Sequence, residues 1–483
     1  MSEISIKKAS LITAISKYSN IFIGIFFSAI LSRILTPNDY GVVAIVNVFT
    51  SFFIVLSNCG LGIAVIQRKD FGQDDINSIF TFSIYFGSVL TFIFILLAYP
   101  ICIFFNNKEY LPICLLLSIS IFFNSINSVP DALLRREKKF FLIGLRLIVV
   151  SFFTYGITII LALINFKYYA LVIQSIISSM LIFIWNLKNI KVHFIKKINW
   201  NILKSIFSYS GYNFLFNLIN YFSRNLDKLL IGKSLGNEDL AQYNKAYHFM
   251  LYPVQNLTNV ISPTLHPILS DYQDNINTVY EKYVKVVKLL SLIGVLVTAV
   301  CFICADEIIS ILYGVQWKSS AVCFKYMSLA IWTQMIGGTI GSIFAVLNDT
   351  KSHFFVTIFN TAIILVALIT GAASKDIKII SLYISIALIS HFFTTYYILI
   401  KKIMRKKFSS FLLVILPDFL MIVILCTFMW TIKDFITIHN TILSFFVKSF
   451  IIAILYILLM SFFKQWKYFI PLLPASLKTK LFK

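Results

Sequence analysis

The chain has 483 residues, of which 59% are hydrophobic and only 13% are charged. Soluble globular proteins are about a quarter charged, so this composition, with a mean hydropathy of +0.86, excludes an ordinary soluble domain and indicates a membrane protein. Helices are the expected spanning form, because the apolar runs lack the alternating pattern of a barrel strand.

Apolar tracts of about 20 residues, each long enough to cross a bilayer as a helix, recur along the whole chain. We predict fourteen spans, at 11–34, 41–66, 77–100, 111–130, 141–164, 168–187, 206–231, 239–268, 280–304, 319–346, 352–373, 379–400, 409–432 and 441–463.

The loop charges set the predicted orientation. With both termini in the cytoplasm, the cytoplasmic loops and termini hold more than three times as many Lys and Arg residues as the external loops. This is the positive-inside pattern. The net charge of +22 therefore reports membrane topology, and we expect no nucleic-acid partner. The opening MSEISIKK leads directly into a full-length span, so we expect no cleavable signal peptide.

Two related halves are predicted from an internal repeat. RILTPNDYG at 33–41 and KSLGNEDLAQY at 233–243 align Leu35 with Leu235 and Asp39 with Asp239, between the first two helices of a six-helix unit. Because each unit has an even number of helices, both halves start on the same side of the membrane and are parallel repeats. Thr36, Pro37 and Asp39 also match a helix-start signature, so we expect Asp39 to be a cap rather than a ligand.

The repeat gives a predicted domain organisation with six parts. They are an N-terminal lobe at 1–187, a basic cytoplasmic linker at 188–205, a C-terminal lobe at 206–400, a basic loop at 401–408, helices 13 and 14 at 409–463, and a cytoplasmic tail at 464–483. The linker mixes Lys with Ile, Val, Phe and Trp, and we expect it to lie on the anionic inner leaflet.

Span 7 carries the richest set of polar residues. Spacings of three or four residues place on one helical face Asn213, Asn217, Asn220, Arg224, Asp227 and Lys228. Such a stripe faces a bundle interior or a hydrated cavity. Arg224 lies roughly 10 Å inside the external boundary, at 1.5 Å per residue. Two interpretations stay open: a structural ion pair with Asp227, or a cation that faces a cavity.

Other ionisable residues occur in the predicted spans. Arg146 and Lys288 lie near cytoplasmic span ends, where we expect them to snorkel, and the isolated Lys448 has no explanation from sequence. The remaining candidates are Lys17, Lys245, His248 and Lys325. The deep charges are mainly positive, so a cavity lined by them favours anionic substrates, and Arg suits phosphate in particular.

Motifs for catalysis and cofactors are not found. The chain has no G-x-x-x-x-G-K-[ST] loop for nucleotide phosphates. Cys301 and Cys304 form a C-x-x-C without accompanying histidines or a second pair, which favours apolar packing over a metal or redox site. We expect no enzymatic activity, no cofactor and no metal.

Three stretches resemble a known family. They are RILTPNDYGVVAIVNVF at 33–49, NCGLGIAVIQRKDF at 58–71 and SRNLDKLLIGKSLGNEDLAQYNKAYHFMLYPVQNLTNVI at 223–261. They are similar to the polysaccharide exporters of the MOP superfamily, and most similar to its Wzx-like oligosaccharide flippases.

The resemblance implies a fold and a function. The expected fold is an all-α polytopic membrane protein of about 14 transmembrane helices. Two six-helix lobes surround a central cavity, which the deep cations make cationic, and two C-terminal helices follow. The implied function is to flip undecaprenyl-pyrophosphate-linked oligosaccharide repeat units across the bacterial inner membrane by alternating access, for O-antigen, capsule or exopolysaccharide synthesis. The implied partners are that lipid-linked glycan, membrane lipids, a polysaccharide polymerase and a chain-length regulator.

The resemblance also suggests site residues. Arg224 and Asp227 occupy the family's R-N-L-D stretch, Lys245 and His248 stand where relatives often have arginine, and Asn58 stands where relatives often have aspartate. The candidate substrate-binding residues are Arg224, Asp227, Lys245, His248, Lys17, Lys325, Asn220 and Asn217.

Three other functions stay open at this point. A lipid II flippase of the same superfamily would share the fold. A MATE-type antiporter would prefer an acidic cavity for organic cations, whereas these deep charges are basic. A scaffold of a polysaccharide synthase complex would have no transport activity of its own.

Overall fold

The computed structural model describes residues 6–58, 60–68, 70–196, 198–204, 206, 218, 221–222, 224–432 and 438–469. Every regular element in these ranges is helical. The chain divides into two compact units, Met1–Ala241 and Gln242–Lys483. The finer division into lobes, linker and tail stays a prediction.

The first unit is built from eight described helices and the beginning of a ninth. They are α1 (Ile6–Ile34), α2 (Pro37–Asn58), α3 (Leu61–Gln67), α4 (Gln73–Phe105), α5 (Tyr110–Arg136), α6 (Phe140–Leu163), α7 (Tyr169–Asn189), α8 (Leu226–Ser234) and α9 (Asn237–Ser270).

The second unit continues α9 and adds the remaining described helices. They are α10 (Ile276–Ile303), α11 (Ala305–Tyr313), α12 (Lys318–Ser328), α13 (Ile331–Gly337), α14 (Ile340–Val346), α15 (Thr350–Ala373), α16 (Ile377–Tyr397), α17 (Phe408–Ile432) and α18 (Thr441–Phe462). A π-helical segment, Ile398–Ile403, follows α16.

The described helices support a multi-pass membrane protein. Eleven of them are long and apolar enough to cross a bilayer, or twelve if a bent pair is counted as one span. Of the predicted spans that remain, most of span 7 lies outside the described residues, and span 8 forms α9, which is rich in Asn, Gln and other polar residues. The total of fourteen therefore stays a prediction.

Span 10, predicted at 319–346, is not a single straight helix. The segments Val315–Ser328 and Ile331–Val346 meet at an angle of 56°. The sequence shows that the whole tract is apolar, but hydropathy alone does not show where a helix in such a tract breaks.

The repeat predicted from sequence coincides with two helix starts. α2 begins at Pro37 and α9 begins at Asn237, which are 200 residues apart. At the first start, Asp39 Oδ2 accepts hydrogen bonds from the Thr36 backbone N–H at 3.0 Å and from Thr36 Oγ1 at 2.7 Å. The prediction that Asp39 is a cap is confirmed.

These two helix starts pack against each other within the first unit. A Cβ atom on Gly41 would collide with backbone atoms of Asn237, so only glycine allows this approach. The Tyr110 hydroxyl, at the start of α5, donates to Asn237 Oδ1. The junction therefore holds α2, α5 and the start of α9 together.

The linker after α7 is bound to the first unit. The backbone N–H groups of His193, Ile195 and Asn199 donate to side chains of α4 at 2.9, 3.0 and 2.7 Å; the acceptors are Asn77, Thr81 and Ser78. Phe194 and Trp200 of the linker also contact α4, with ring centres 6.0 Å from that of Tyr85 and 6.4 Å from that of Phe82, although 51% and 66% of their surfaces stay exposed. The linker is thus fastened to α4 by backbone hydrogen bonds and by ring contacts.

Candidate functional site

The turn before α8 contains the first candidate, Arg224. Residues 221–222 are helical, Arg224 and Asn225 form a turn, and α8 begins at Leu226 with Asn225 as its N-cap at φ −127°. The prediction that one uninterrupted helical face runs through Arg224 to Lys228 is therefore wrong. Because of this turn, side chains before and after it do not share one helical face. Asn213, Asn217 and Asn220 lie outside the described residues.

Asp227 and Lys228 are held locally in the first turn of α8. The buried Asp227 accepts a hydrogen bond from the Lys228 backbone N–H at 2.8 Å, and Lys228 Nζ donates to Asn225 Oδ1 at 3.0 Å. A carboxylate in the first turn of a helix is favoured by the helix dipole. The role of Asp227 seen in this conformation is to stabilise the start of α8.

Arg224 has a different environment. Its side chain is exposed, and among the ion pairs of the described residues none joins it to Asp227. An exposed guanidinium inside a predicted span is costly against lipid and is tolerated where it meets water or an anion. The interpretation of Arg224 as a cation that faces a cavity stays a prediction.

Lys17 is a second exposed cation of the first unit. It lies on α1, and one turn later Asn20 Oδ1 accepts a hydrogen bond from Ser151 Oγ of α6 at 2.7 Å. That bond fixes the face of α1 that packs against α6. Lys17, three residues before Asn20 and therefore next to it on the helix surface, is itself exposed.

The candidates of the second unit lie against aromatic rings. Lys245 Nζ is 4.5 Å from the ring centre of Tyr313 and 5.2 Å from that of Trp317, and Lys325 Nζ is 5.3 Å from the ring centre of Phe302. Ring faces attract a cation where water is scarce. His248, also on α9, is exposed.

Arg146 was expected to snorkel, and this is wrong. It is buried in the first unit, where its Nη1 donates to Asp131 Oδ1 at 2.8 Å and to Asn186 Oδ1 at 2.5 Å. Asn186 in turn donates to Asn127 Oδ1 at 2.8 Å. This network joins α5, α6 and α7 and neutralises the guanidinium.

Lys288 was also expected to snorkel, and its burial overturns that prediction. Lys288 and Asp418 are 1% and 0% exposed, with Lys288 Nζ 2.6 Å from Asp418 Oδ1. Ser291 Oγ donates to Asp418 Oδ2, and Trp332 Nε1 donates to Ser291 Oγ at 2.9 Å. Sequence reasoning overlooked Asp418, although a single acid in the apolar tract VILPDFLM at 414–421 is a signal in itself.

Lys448, unexplained by sequence, pairs with Glu307. Its Nζ donates to Glu307 Oε1, and Ser444 Oγ donates to the same oxygen at 2.8 Å. Burial alone raises the pKa of the Glu307 carboxyl, but the bonds from Lys448 and Ser444 outweigh burial and hold the pKa below its usual range. This pair joins α11 to α18.

Apart from Lys245 and Lys325, which lie against aromatic rings, two groups stand out among the basic residues of the predicted spans. Arg146, Lys288 and Lys448 are neutralised by carboxylates and stabilise helix packing. Lys17, Arg224 and His248 are exposed, and these three keep the character of candidate substrate contacts.

Metal and redox chemistry find little support in the described part of the chain. No group of three or more His, Cys, Asp or Glu side chains there can hold a metal ion. Cys301 and Cys304 are both buried and unbridged. Cys304 Sγ lies 4.0 Å from Ser449 Oγ.

Comparison with known sequences places these features in context. A family model described as polysaccharide biosynthesis protein matches residues 30–322. The lipopolysaccharide biosynthesis protein WzxC of Escherichia coli strain K12 is 21% identical over 410 residues, which cover 83% of this chain and 82% of WzxC.

Two solved structures have a similar fold. The lipid II flippase MurJ, in an inward closed conformation, matches with a TM-score of 0.74 and 16% identity over 94% of this chain and 99% of MurJ. An inward-facing multidrug resistance MATE transporter of the MOP superfamily matches with a TM-score of 0.61 and 14% identity over 82% of this chain and 98% of that transporter. At such identities the likeness shows the fold alone.

Proposed function

The chain belongs to the polysaccharide biosynthesis protein family, as its three sequence stretches predicted, and from this premise we propose that it is a flippase. Its substrate is an undecaprenyl-pyrophosphate-linked oligosaccharide repeat unit. The protein moves this unit from the cytoplasmic to the outer leaflet of the bacterial inner membrane by alternating access. The name of its relative WzxC, which refers to lipopolysaccharide biosynthesis, supports this class of substrate.

The observation that carries the proposal is the exposed Arg224 within a predicted span. A hydrophobic lipid tail can cross the bilayer unaided, but a pyrophosphate cannot, because an isolated charge in hydrocarbon is very costly. A guanidinium supplies a fixed, always protonated cation with donors that match phosphate oxygens. Lys17 adds a second positively charged side chain, and His248 adds an imidazole.

We further propose the orientation that the loop charges predict, with both termini in the cytoplasm. The transported glycan then passes to the enzymes that polymerise it. The chain itself performs no covalent step, because flipping changes only the location of the substrate.

The test is the replacement Arg224→Ala, compared with Lys108→Ala, which removes an exposed cation from a predicted external loop. Surface polymer is measured in cells at matched protein levels. We expect export to fall at least tenfold with Arg224→Ala and to stay unchanged with the control. Normal export by Arg224→Ala would show that Arg224 is not part of the substrate path. Export that continues in cells lacking this protein would favour the scaffold alternative.

A second measurement separates flipping from the other transport alternatives. Vesicles that contain the purified chain receive a fluorescent lipid-linked oligosaccharide, lipid II or an organic cation as the only substrate. The proposal requires movement of the oligosaccharide. A response to lipid II or to the cation alone would favour the corresponding alternative.

A further inference from the structure

A concave groove lies in the first unit, where α5 and α7 end and α4 begins. Its volume is about 640 Å³, which is the size of a small-molecule site. Phe71, Ile76 and Leu133 supply an apolar wall, and four basic side chains line the groove together with one acid: Arg136, Lys139, Lys188, Lys191 and Glu137.

Two of the cations are fixed by contacts that join the groove walls. Lys139 Nζ donates to the backbone carbonyl of Asn189 at 2.8 Å and lies 2.6 Å from Glu137 Oε2. Arg136 Nη2 lies 3.4 Å from the carbonyl oxygen of Phe71. Side chains at the end of α5 therefore connect the backbone of two other segments, at Phe71 and at Asn189, and these contacts hold the groove walls.

The other two cations are not fixed by such contacts. Lys188 and Lys191 are exposed, and neither forms an ion pair among the described residues. Glu137 and Lys139 neutralise each other. The groove is left with two exposed cations outside these contacts, Lys188 and Lys191.

Positive charge near a cytoplasmic membrane surface is common for topological reasons alone. Here the exposed cations line a concave site with an apolar wall, which is the arrangement of a binding site rather than of a solvated loop. In the linker that leaves the groove, Phe194 and Trp200 stay more than half exposed, a feature of segments at the membrane interface.

We propose that this groove binds a phosphate-bearing head group at the membrane surface, and that it is a site separate from the transport residues. The ligand class is an anion with two phosphates or two phosphodiesters, whose charge the exposed cations balance. Such a group can come from an anionic lipid or from a soluble pyrophosphate compound. Lys188 and Lys191 close over the phosphates, while Arg136 and Lys139 keep the walls in place.

The test uses the purified full chain with two probes, inorganic pyrophosphate and cardiolipin in nanodiscs. The variant K188Q/K191Q is compared with K402Q/K407Q, which removes two exposed lysines from a different loop predicted on the same face. Because a cation near the membrane surface contributes about a factor of five in affinity, we expect K188Q/K191Q to weaken binding about ten- to thirtyfold. The control keeps wild-type affinity.

The outcomes separate the sources and the alternatives. Loss with cardiolipin alone identifies a lipid head group, and loss with pyrophosphate alone identifies a soluble ligand; either supports the site. Equal weakening by both double variants, or no binding of either probe to the wild type, overturns it. Because the altered lysines are exposed, the melting temperature of both variants should match the wild type.

Discussion

The buried pair of Lys288 and Asp418 predicts a large and specific loss of stability. In Lys288→Met, the Asp418 carboxylate loses its bond at 2.6 Å and keeps only the donor from Ser291. A hydrogen bond to a charged group contributes about 1.5–3 kcal/mol. Leaving a buried charge without its partner costs about 3–5 kcal/mol. We therefore expect the free energy of unfolding to fall by about 3–5 kcal/mol.

The double variant tests whether this loss comes from the unpaired charge. In K288M/D418L, both groups are apolar and the site has nearly the same volume, so no uncompensated charge remains. Replacing a buried pair in this way is often neutral. We expect the double variant to unfold within about 1 kcal/mol of the wild type, which gives a coupling energy of about 3 kcal/mol or more.

The assay is unfolding of the purified chain in one detergent, followed by tryptophan fluorescence across a denaturant series for wild type, Lys288→Met, Asp418→Leu and the double variant. Trp332 reports directly, because its Nε1 bonds to Ser291 Oγ within the same network. Additive losses in the double variant would refute the reasoning, since two independent sites add and a pair does not.

The pair also determines how α17 is attached. Pro417 removes a backbone hydrogen bond from the turn that carries Asp418, and Lys288 Nζ donates to the nearby Val414 carbonyl at 2.8 Å. Lys288 therefore ties α10 to a weakened turn of α17. Export that persists in K288M/D418L would assign the pair to folding, separate from the transport role proposed for Arg224.

Two further predictions concern other junctions. Gly41→Val places a side chain into the backbone of Asn237, and overpacking of this kind costs about 1–3 kcal/mol; the same denaturant series measures it, and an unchanged midpoint would show that the helix starts do not approach so closely. Glu307, outside the predicted spans, has a lowered pKa because its bonds from Lys448 and Ser444 outweigh burial. Its stabilising contribution is complete above its unfolded pKa of about 4.3 and is lost as pH falls through the lower folded pKa. Melting temperatures should therefore drop between pH 5 and about 3, and E307Q should flatten that drop; parallel curves for the two proteins would contradict it.

The helices after the predicted repeat are attached more firmly than their sequence indicates. From the sequence, the last two predicted spans, at 409–463, lie outside the six-helix units. Within the second unit, Asp418 of α17 pairs with Lys288 of α10, and Lys448 of α18 pairs with Glu307 of α11. Each partner lies more than 100 residues away in the chain, so the pairing has no local signal.

The sequence by itself determined the features that depend on local or average properties. The apolar tracts established the membrane class, because length and hydropathy alone decide whether a helix can span a bilayer. The Thr36–Asp39 cap followed from neighbouring residues, and the three quoted stretches identified the family. All of these are readable within windows of a few to about 40 residues.

Only the tertiary structure decided which charges are neutralised. From sequence, Arg146, Lys288 and Arg224 were all cations in predicted spans, and the first two were assigned to snorkelling. The structure buries Arg146 and Lys288 against acids and leaves Arg224 exposed in a turn. The cost of a charge in a membrane depends on what surrounds it in three dimensions. Residue type and depth along a helix do not contain that information.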